Sequence, residues 1–178
     1  MEKTGVVPIV GGSMASSIWG NPRQTRDIDM MVTLTTEQAA MIQAQLGHDF
    51  LMSVDEVRAA LDDSSPWRSF QILHVGELFK FDVFLPLHDR YFSSLIERAR
   101  VVSFNDVEMT VMAPEDILIL KLRWYELGNR VSDRQWNDIV QVIEVQGSHL
   151  DREYVRQWAC HFGLSELAEE AFSEALPP

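Results

Sequence analysis

The sequence has one cysteine, Cys160, among 178 residues. A single thiol excludes an intrachain disulfide and any zinc site built from several cysteines, and it fits a reducing compartment. Basic residues are also scarce: 15 Lys and Arg stand against 27 Asp and Glu, for a formal charge of −12. Nonspecific nucleic-acid binding needs a basic footprint, so general nucleic-acid binding is disfavoured, though a local patch could still draw in one specific polyanion. No apolar run approaches the ~18 residues of a membrane span, and the opening MEKTGVVPIVGG lacks a signal-type apolar stretch. The expectation is a cytoplasmic protein with no membrane contact. Internal repeats, low-complexity tracts and Pro/Gly/Ser linkers are missing too, and the five histidines show no metal-ligand spacing. Nothing in the sequence sets the oligomeric state.

Apolar residues make up 46% of the chain, enough for a core. The first two thirds read as mixed. Val6–Val10 is a strand candidate ending at Gly11-Gly12-Ser13, and Ser13–Trp19 a short helix stopped by Gly20 and Pro22. Arg26–Leu34 alternates with a period of two, the mark of a half-buried strand. Thr35 or Thr36 caps a helix running to Leu46, and Val54–Asp62 is a second short helix. Further strands are predicted at His48–Ser53, Arg68–Val75 and Phe79–Leu85, and Val101–Phe104 and Val107–Met112 flank an Asn105-Asp106 turn.

From Pro114 the period becomes helical. Pro114 suits a first helical position, with Glu115 and Asp116 at the positive end of the dipole, and this helix runs to about Leu127. Ser132 with Gln135 forms a capping-box pattern, and Asp151 and Ser165 are cap candidates for two more helices. Strands followed by a run of helices indicate an α+β fold: a small mixed sheet flanked by helices, then a C-terminal helical segment. The division expected is 1–113 for the α+β core and 114–178 for helices packed on it, together one compact unit.

The chemistry concentrates in residues 10–32, around Asp27-Ile28-Asp29. Residues i and i+2 of a strand project to one side, so both carboxylates aim at one point while Ile28 faces the core. Two such groups repel unless a cation sits between them, and hard oxygen ligands with open positions suit Mg²⁺. An Asp-x-Asp alone also fits the solvated face of an edge strand. Gly11-Gly12-Ser13 closes a strand and opens a helix, where small residues let backbone N–H groups and a hydroxyl approach a phosphate. The two features lie about 15 residues apart, a joint pattern much rarer than either alone.

That pattern resembles the polymerase-β-type nucleotidyltransferase superfamily. The longer string Gly11-Gly12-Ser13 … Gly20-Asn21-Pro22-Arg23-Gln24-Thr25-Arg26-Asp27-Ile28-Asp29 is similar to a small bacterial branch related to abortive-infection nucleotidyltransferase toxins. The resemblance implies a third carboxylate on a later strand. Asp82, the one acid in the strand-like run Lys80–Phe84, is its candidate. It also implies two Mg²⁺ ions held by Asp27, Asp29 and Asp82, with an NTP as substrate and an in-line pyrophosphate leaving group. Arg23 and Thr25 match the branch signature and join Gly11, Gly12 and Ser13 on the nucleotide side.

Lys121 lies in an apolar stripe with Ile117 and Trp124 on its face, so it either snorkels outward or pairs with an anion. The related branch carries a lysine in a similar context, which implies contact with phosphate. One departure stands out. Where the branch has Lys-Asp-x-x-Asp-Ile, this chain reads Arg134-Gln135-Trp136-Asn137-Asp138-Ile139, with Gln135 in place of an acid.

The function implied is Mg²⁺-dependent transfer of a nucleoside monophosphate from an NTP to the hydroxyl of an unidentified acceptor: a protein, an RNA end or a small molecule. The charge of −12 is compatible with a small cationic acceptor of aminoglycoside type. The alternative is a non-catalytic nucleotidyltransferase-like binding module, half of a toxin–antitoxin-like pair.

Overall fold

The structure is a computed structural model, and it describes residues 4–77, 79–104 and 106–175. Among these, the elements in chain order are β1 (Ile9–Val10), α1 (Gly12–Trp19), β2 (Asp27–Met31), α2 (Thr36–Gln45), β3 (Phe50–Leu51), α3 (Val54–Asp62), β4 (Ser69–His74), β5 (Phe79–Phe84), α4 (Arg90–Arg98), β6 (Arg100–Phe104), β7 (Val107–Val111), α5 (Pro114–Leu127), α6 (Asp133–Gln146), a 3₁₀ turn (Gly147–His149), α7 (Arg152–His161) and α8 (Ser165–Ala175). None of the described helices is long and apolar enough to cross a membrane.

The chain gathers into two compact units. The sheet unit comprises residues 1–11 and 25–111, and the helical unit residues 12–24 and 112–178. Residues 12–24 therefore cluster with the C-terminal helices, although in sequence they lie inside the strand-rich region.

In the sheet unit, seven strands form one mixed sheet in the order β3-β4-β5-β2-β1-β7-β6. The pairs β2–β5 and β1–β7 are parallel, and the other neighbours are antiparallel. Alternation sorts the side chains to two faces. Met30 and Val32, Phe70 and Ile72, Val83 and Leu85 go to a buried core with Ala39 and Ile42 of α2 and Val57 and Ala60 of α3. Asp27, Asp29, Gln71, Lys80 and Asp82 take the other positions of the same strands and share the opposite face.

Both helices on the core start where their caps dictate. Thr35 accepts from the Gln38 N–H and Gln38 reaches back to the Thr35 N–H, a closed capping box. Ser53 accepts from Glu56 N–H at the head of α3. Helix α4 is not among the predicted elements. Asp89 caps it by accepting from Phe92 N–H, and Tyr91, Phe92 and Leu95 form its buried stripe. Of the Asn105-Asp106 turn, Asn105 lies outside the described residues, and Asp106 takes a φ of 62°.

In the helical unit, α6 packs against α1, α5 and α8, and α7 against α5 and α8. Pro114 stands at the start of α5 with Glu115 and Asp116 in its first turn, as the sequence predicts. Ser132 caps α6 through Gln135 N–H, but the Gln135 side chain accepts from Lys121. Asp151 caps α7, whereas Ser165 is the first residue of α8 instead of the residue before it.

Candidate active site

One cluster, acidic, belongs to the sheet unit. In the parallel β2–β5 pair, Asp29 stands opposite Asp82 and Asp27 opposite Lys80. Paired residues of neighbouring strands point the same way, about 4.8 Å apart along the hydrogen-bonding direction. Asp27, Asp29 and Asp82 are thus on one face at adjacent register positions. Two local bonds support this edge. Thr25 Oγ1 donates to the Asp27 carbonyl at 3.0 Å, tying the entry turn to β2. Gly11 N–H donates to the Asp29 carbonyl at 2.9 Å. Gly11 therefore spends its amide inside the sheet.

Asp82 is held at both oxygens. Gln71 Nε2 donates to Oδ1 at 2.7 Å from β4, and Lys80 Nζ donates to Oδ2 at 2.7 Å. The hydrogen bond to Asp82 raises the Lys80 pKa; partial burial opposes this, and the charges of Asp82, Asp27 and Asp29 add to the rise. An ammonium that feels all three carboxylates is a stand-in cation on this face. By kind the donor set suits a hard divalent ion. The set is not closed, however: among the described residues, no three His, Cys, Asp or Glu side chains are gathered to metal-holding distance.

A second cluster, basic, belongs to the helical unit and centres on Asp138, which is not among the predicted site residues. Asp138 is 4% exposed. Arg23 grips it with two bonds, Nε to Oδ1 and Nη2 to Oδ2, each 2.8 Å. Lys121 Nζ donates to Oδ2 at 2.8 Å and to Gln135 Oε1 at 3.0 Å. Arg23 Nη2 also donates to Ser13 Oγ, in the first turn of α1. Burial disfavours the Asp138 charge, but the hydrogen bonds and charges of Arg23 and Lys121 outweigh it and hold the carboxyl below its ordinary range. The same Asp138 bond raises the Arg23 pKa.

Lys121 thus settles into the pairing alternative, with Asp138 as its anion. Its side chain is only 5% exposed, and its ammonium bonds Asp138 Oδ2 and Gln135 Oε1. Gln135 fills the position of the missing acid as a neutral acceptor. The signal for Asp138 was present in the sequence: Gln135, Asp138, Ile139 and Val142 share one helical face, so an acid sits in a buried stripe. Lys80 and Gln71, both bonded to Asp82, are likewise not among the predicted site residues. Lys80 was visible as the i−2 neighbour of Asp82, whereas Gln71 is brought to Asp82 only by the β4–β5 register.

Two glycines of the motif have definite geometric reasons. Gly12 takes a φ of 53°, which favours a residue without Cβ where the chain turns from β1 into α1. At Gly20 a Cβ would stand 3.0 Å from the Ser16 carbonyl and 3.2 Å from the backbone N of Val142 in α6.

A family model described as "Nucleotidyl transferase of unknown function (DUF2204)" matches residues 1–169. No curated protein matches the sequence. Among solved structures, ANT(2″)-Ia in complex with adenylyl-2″-tobramycin superposes with a TM-score of 0.59 at 11% identity, over 91% of this chain and 90% of that one. An antigenic nucleotidyltransferase-like protein from Paracoccidioides brasiliensis gives 0.52 at 14% identity, over 99% and 91%. The lincosamide antibiotic adenylyltransferase LnuA, bound to lincomycin, gives 0.50 at 14% identity, over 81% and 90%. At these identities the likeness is one of fold.

Proposed function

The chain belongs to the DUF2204 family of nucleotidyl transferases, and from that premise we propose that it transfers a nucleoside monophosphate from an NTP to a hydroxyl of a small cationic acceptor, with Mg²⁺. The observation that carries the reading is the placement of Asp27, Asp29 and Asp82 on one sheet face in register. Asp27 and Asp29 would hold the ion, with Asp82 as the further ligand. An ion held there would supply charge neutralisation on the triphosphate and acidity to the acceptor hydroxyl. Asp82 would take the hydroxyl proton on a carboxylate oxygen once Lys80 or Gln71 lets go of it. Gly12 and Ser13 open α1, whose first-turn N–H groups have no partners inside the helix and favour phosphate oxygens. Arg23, held by Asp138, keeps Ser13 Oγ oriented and leaves this cluster with a surplus of positive charge.

For the acceptor, the support is the charge of −12, which repels polyanions and draws cations. Structural neighbours bind antibiotics of the small-molecule kind, tobramycin as its adenylyl form in one case and lincomycin in another. The test is transfer of α-phosphate label from each NTP, with Mg²⁺, to a panel of aminoglycosides, lincosamides and an RNA 3′ end. We expect label on a cationic small molecule and none with Asp29→Ala. Label transfer that persists in Asp29→Ala overturns the site.

A second reading, a binding module without turnover, is favoured by one observation: both Asp82 oxygens are already bonded within the sheet. It predicts an NTP-induced rise in melting temperature that Asp82→Asn leaves intact, with no label transferred to anything.

A further inference from the structure

The sheet face that carries Asp82 continues onto β4 and β3. On β4, Gln71 stands opposite Asp82 and Leu73 opposite Lys80, and on β3 Leu51 stands opposite Leu73. Alternation sends Phe50 and Ile72 to the core and leaves the two leucines outside. Leu51 is 55% exposed, Leu73 42%, and Val75 beyond them 51%. Leu73 lies about 7 Å from Gln71 along β4, and Leu51 about 4.8 Å further across the sheet. Single exposed apolar residues are ordinary, but these three adjoin one another beside a proposed reacting carboxylate.

Gln71 sets the chemistry at the near end of this strip. Its Nε2 donates to Asp82 Oδ1 at 2.7 Å, and a carboxylate only accepts, so the amide is fixed in one orientation. The exposed side chain therefore presents Oε1 to solvent, an acceptor for a hydroxyl or an ammonium. At the far end Val75 N–H donates to the Asp49 carbonyl at 2.8 Å, which brings the exposed Asp49 to the end of the strip. Between them the Lys80 ammonium is turned to Asp82 Oδ2. An apolar strip with oxygen acceptors at one end and a carboxylate at the other complements a cation with an apolar middle. Three side chains cover far less area than a stable protein interface needs, so the strip fits a small molecule and not a second copy of the chain.

We propose that Gln71, Leu73 and Leu51 form the docking strip for the acceptor, whose reacting hydroxyl reaches Asp82 while its apolar part lies across the two leucines. The acceptor class is thereby narrowed from a small cation to an amphiphilic one. This rests on the transferase reading above, which gives the hydroxyl proton to Asp82, and adds the acceptor's chemistry to it.

Linear amino alcohols with hydroxyl and ammonium at opposite ends serve as probes: ethanolamine, aminobutanol and aminooctanol. Each is titrated without NTP into the full chain, and affinity is read from leucine methyl chemical shifts. Aminooctanol should shift Leu51 and Leu73 and bind about tenfold or more tightly than aminobutanol, since each methylene that leaves water adds affinity. Leu51→Thr/Leu73→Thr keeps strand-forming side chains and should return aminooctanol to the affinity of aminobutanol. Val131→Thr, at an exposed position in the helical unit, should change nothing. Gln71→Met should weaken aminooctanol about fivefold, the loss of one hydrogen bond, and leave octylamine unchanged. With aminooctanol as acceptor for α-phosphate label, the double leucine variant should raise KM about tenfold and leave kcat level.

Shifts confined to other residues, chain lengths that bind equally, or a double variant that matches the wild type in affinity or KM overturn the strip. Gln71→Met that weakens octylamine equally removes Gln71 from it. Leucine shifts on raising protein concentration alone assign the face to a second copy and overturn it as well. All of these leave the transferase reading standing on its own test with Asp29→Ala. No label on any acceptor overturns the transferase reading and the acceptor assignment with it, while aminooctanol seated on the leucines would still show a binding strip.

Discussion

Asp138 carries two cations on one carboxylate, and it links three segments of the helical unit: the loop at Arg23, α5 through Lys121, and α6 itself. Breaking a buried pair from one side leaves the other side uncompensated, at a cost of about 3 kcal/mol or more. Asp138→Asn should therefore lower the urea-unfolding free energy at pH 7 by about that amount. The pH dependence has a definite sign. A carboxyl held below its unfolded value near ~3.9 contributes stability that is fully present above that pH and is lost as pH falls through the folded value. The gap between wild type and Asp138→Asn should accordingly narrow on acidification below about pH 4, measured by unfolding at neutral and acid pH. A gap that stays constant would mean that the carboxylate is not what stabilises this cluster. If Asp138 also orients Arg23 toward Ser13, the variant should raise the KM for NTP more than it lowers kcat.

Elements show which parts of the fold the sequence carried openly. Helix α5 spans Pro114–Leu127, as the proline, the two acids and the following glycine predict, because each of those signals acts within one turn. Helix α4 has a side-chain cap in Asp89, which α5 lacks, but its periodic signal is weak, since its apolar residues are few and flanked by charges. Asp89→Ala removes that cap and should cost about 1 kcal/mol, read as a lowered melting temperature. Pairing was harder to read than periodicity. That Asp27 and Asp29 share a face follows from spacing alone, but the register of Asp29 with Asp82 depends on β2 and β5 lying side by side across the intervening α2, β3, α3 and β4. The allegiance of residues 12–24 to the helices is equally non-local: it rests on contacts of α1 with α5 and α6, far along the chain. Gly20 marks one of these. A Cβ there meets backbone atoms that cannot rotate away, so Gly20→Ala should destabilise by about 1–3 kcal/mol. Trimming the neighbouring side chain in Gly20→Ala/Val142→Ala should fail to restore the loss, because the close contacts at Ser16 O and Val142 N remain.

At the scale of the whole molecule the governing quantity is charge. A net of −12 produces a field that favours cationic partners and opposes anionic ones, and it acts on encounter more than on the bound state. Salt weakens it: the screening length falls from about 10 Å at 0.1 M to about 3 Å at 1 M ionic strength. For a polycationic acceptor at saturating NTP, kcat/KM should fall by about tenfold over that range while kcat stays level, because only the approach is steered. An uncharged hydroxyl acceptor should show a flat profile, and an RNA 3′ end a rising one as its repulsion is screened. Initial rates at subsaturating acceptor across a salt series separate the three. A rate with RNA that falls as salt rises would mean that a local basic surface, and not the net field, recruits the acceptor. The small-cation assignment would then give way to a polyanion drawn in against the overall charge.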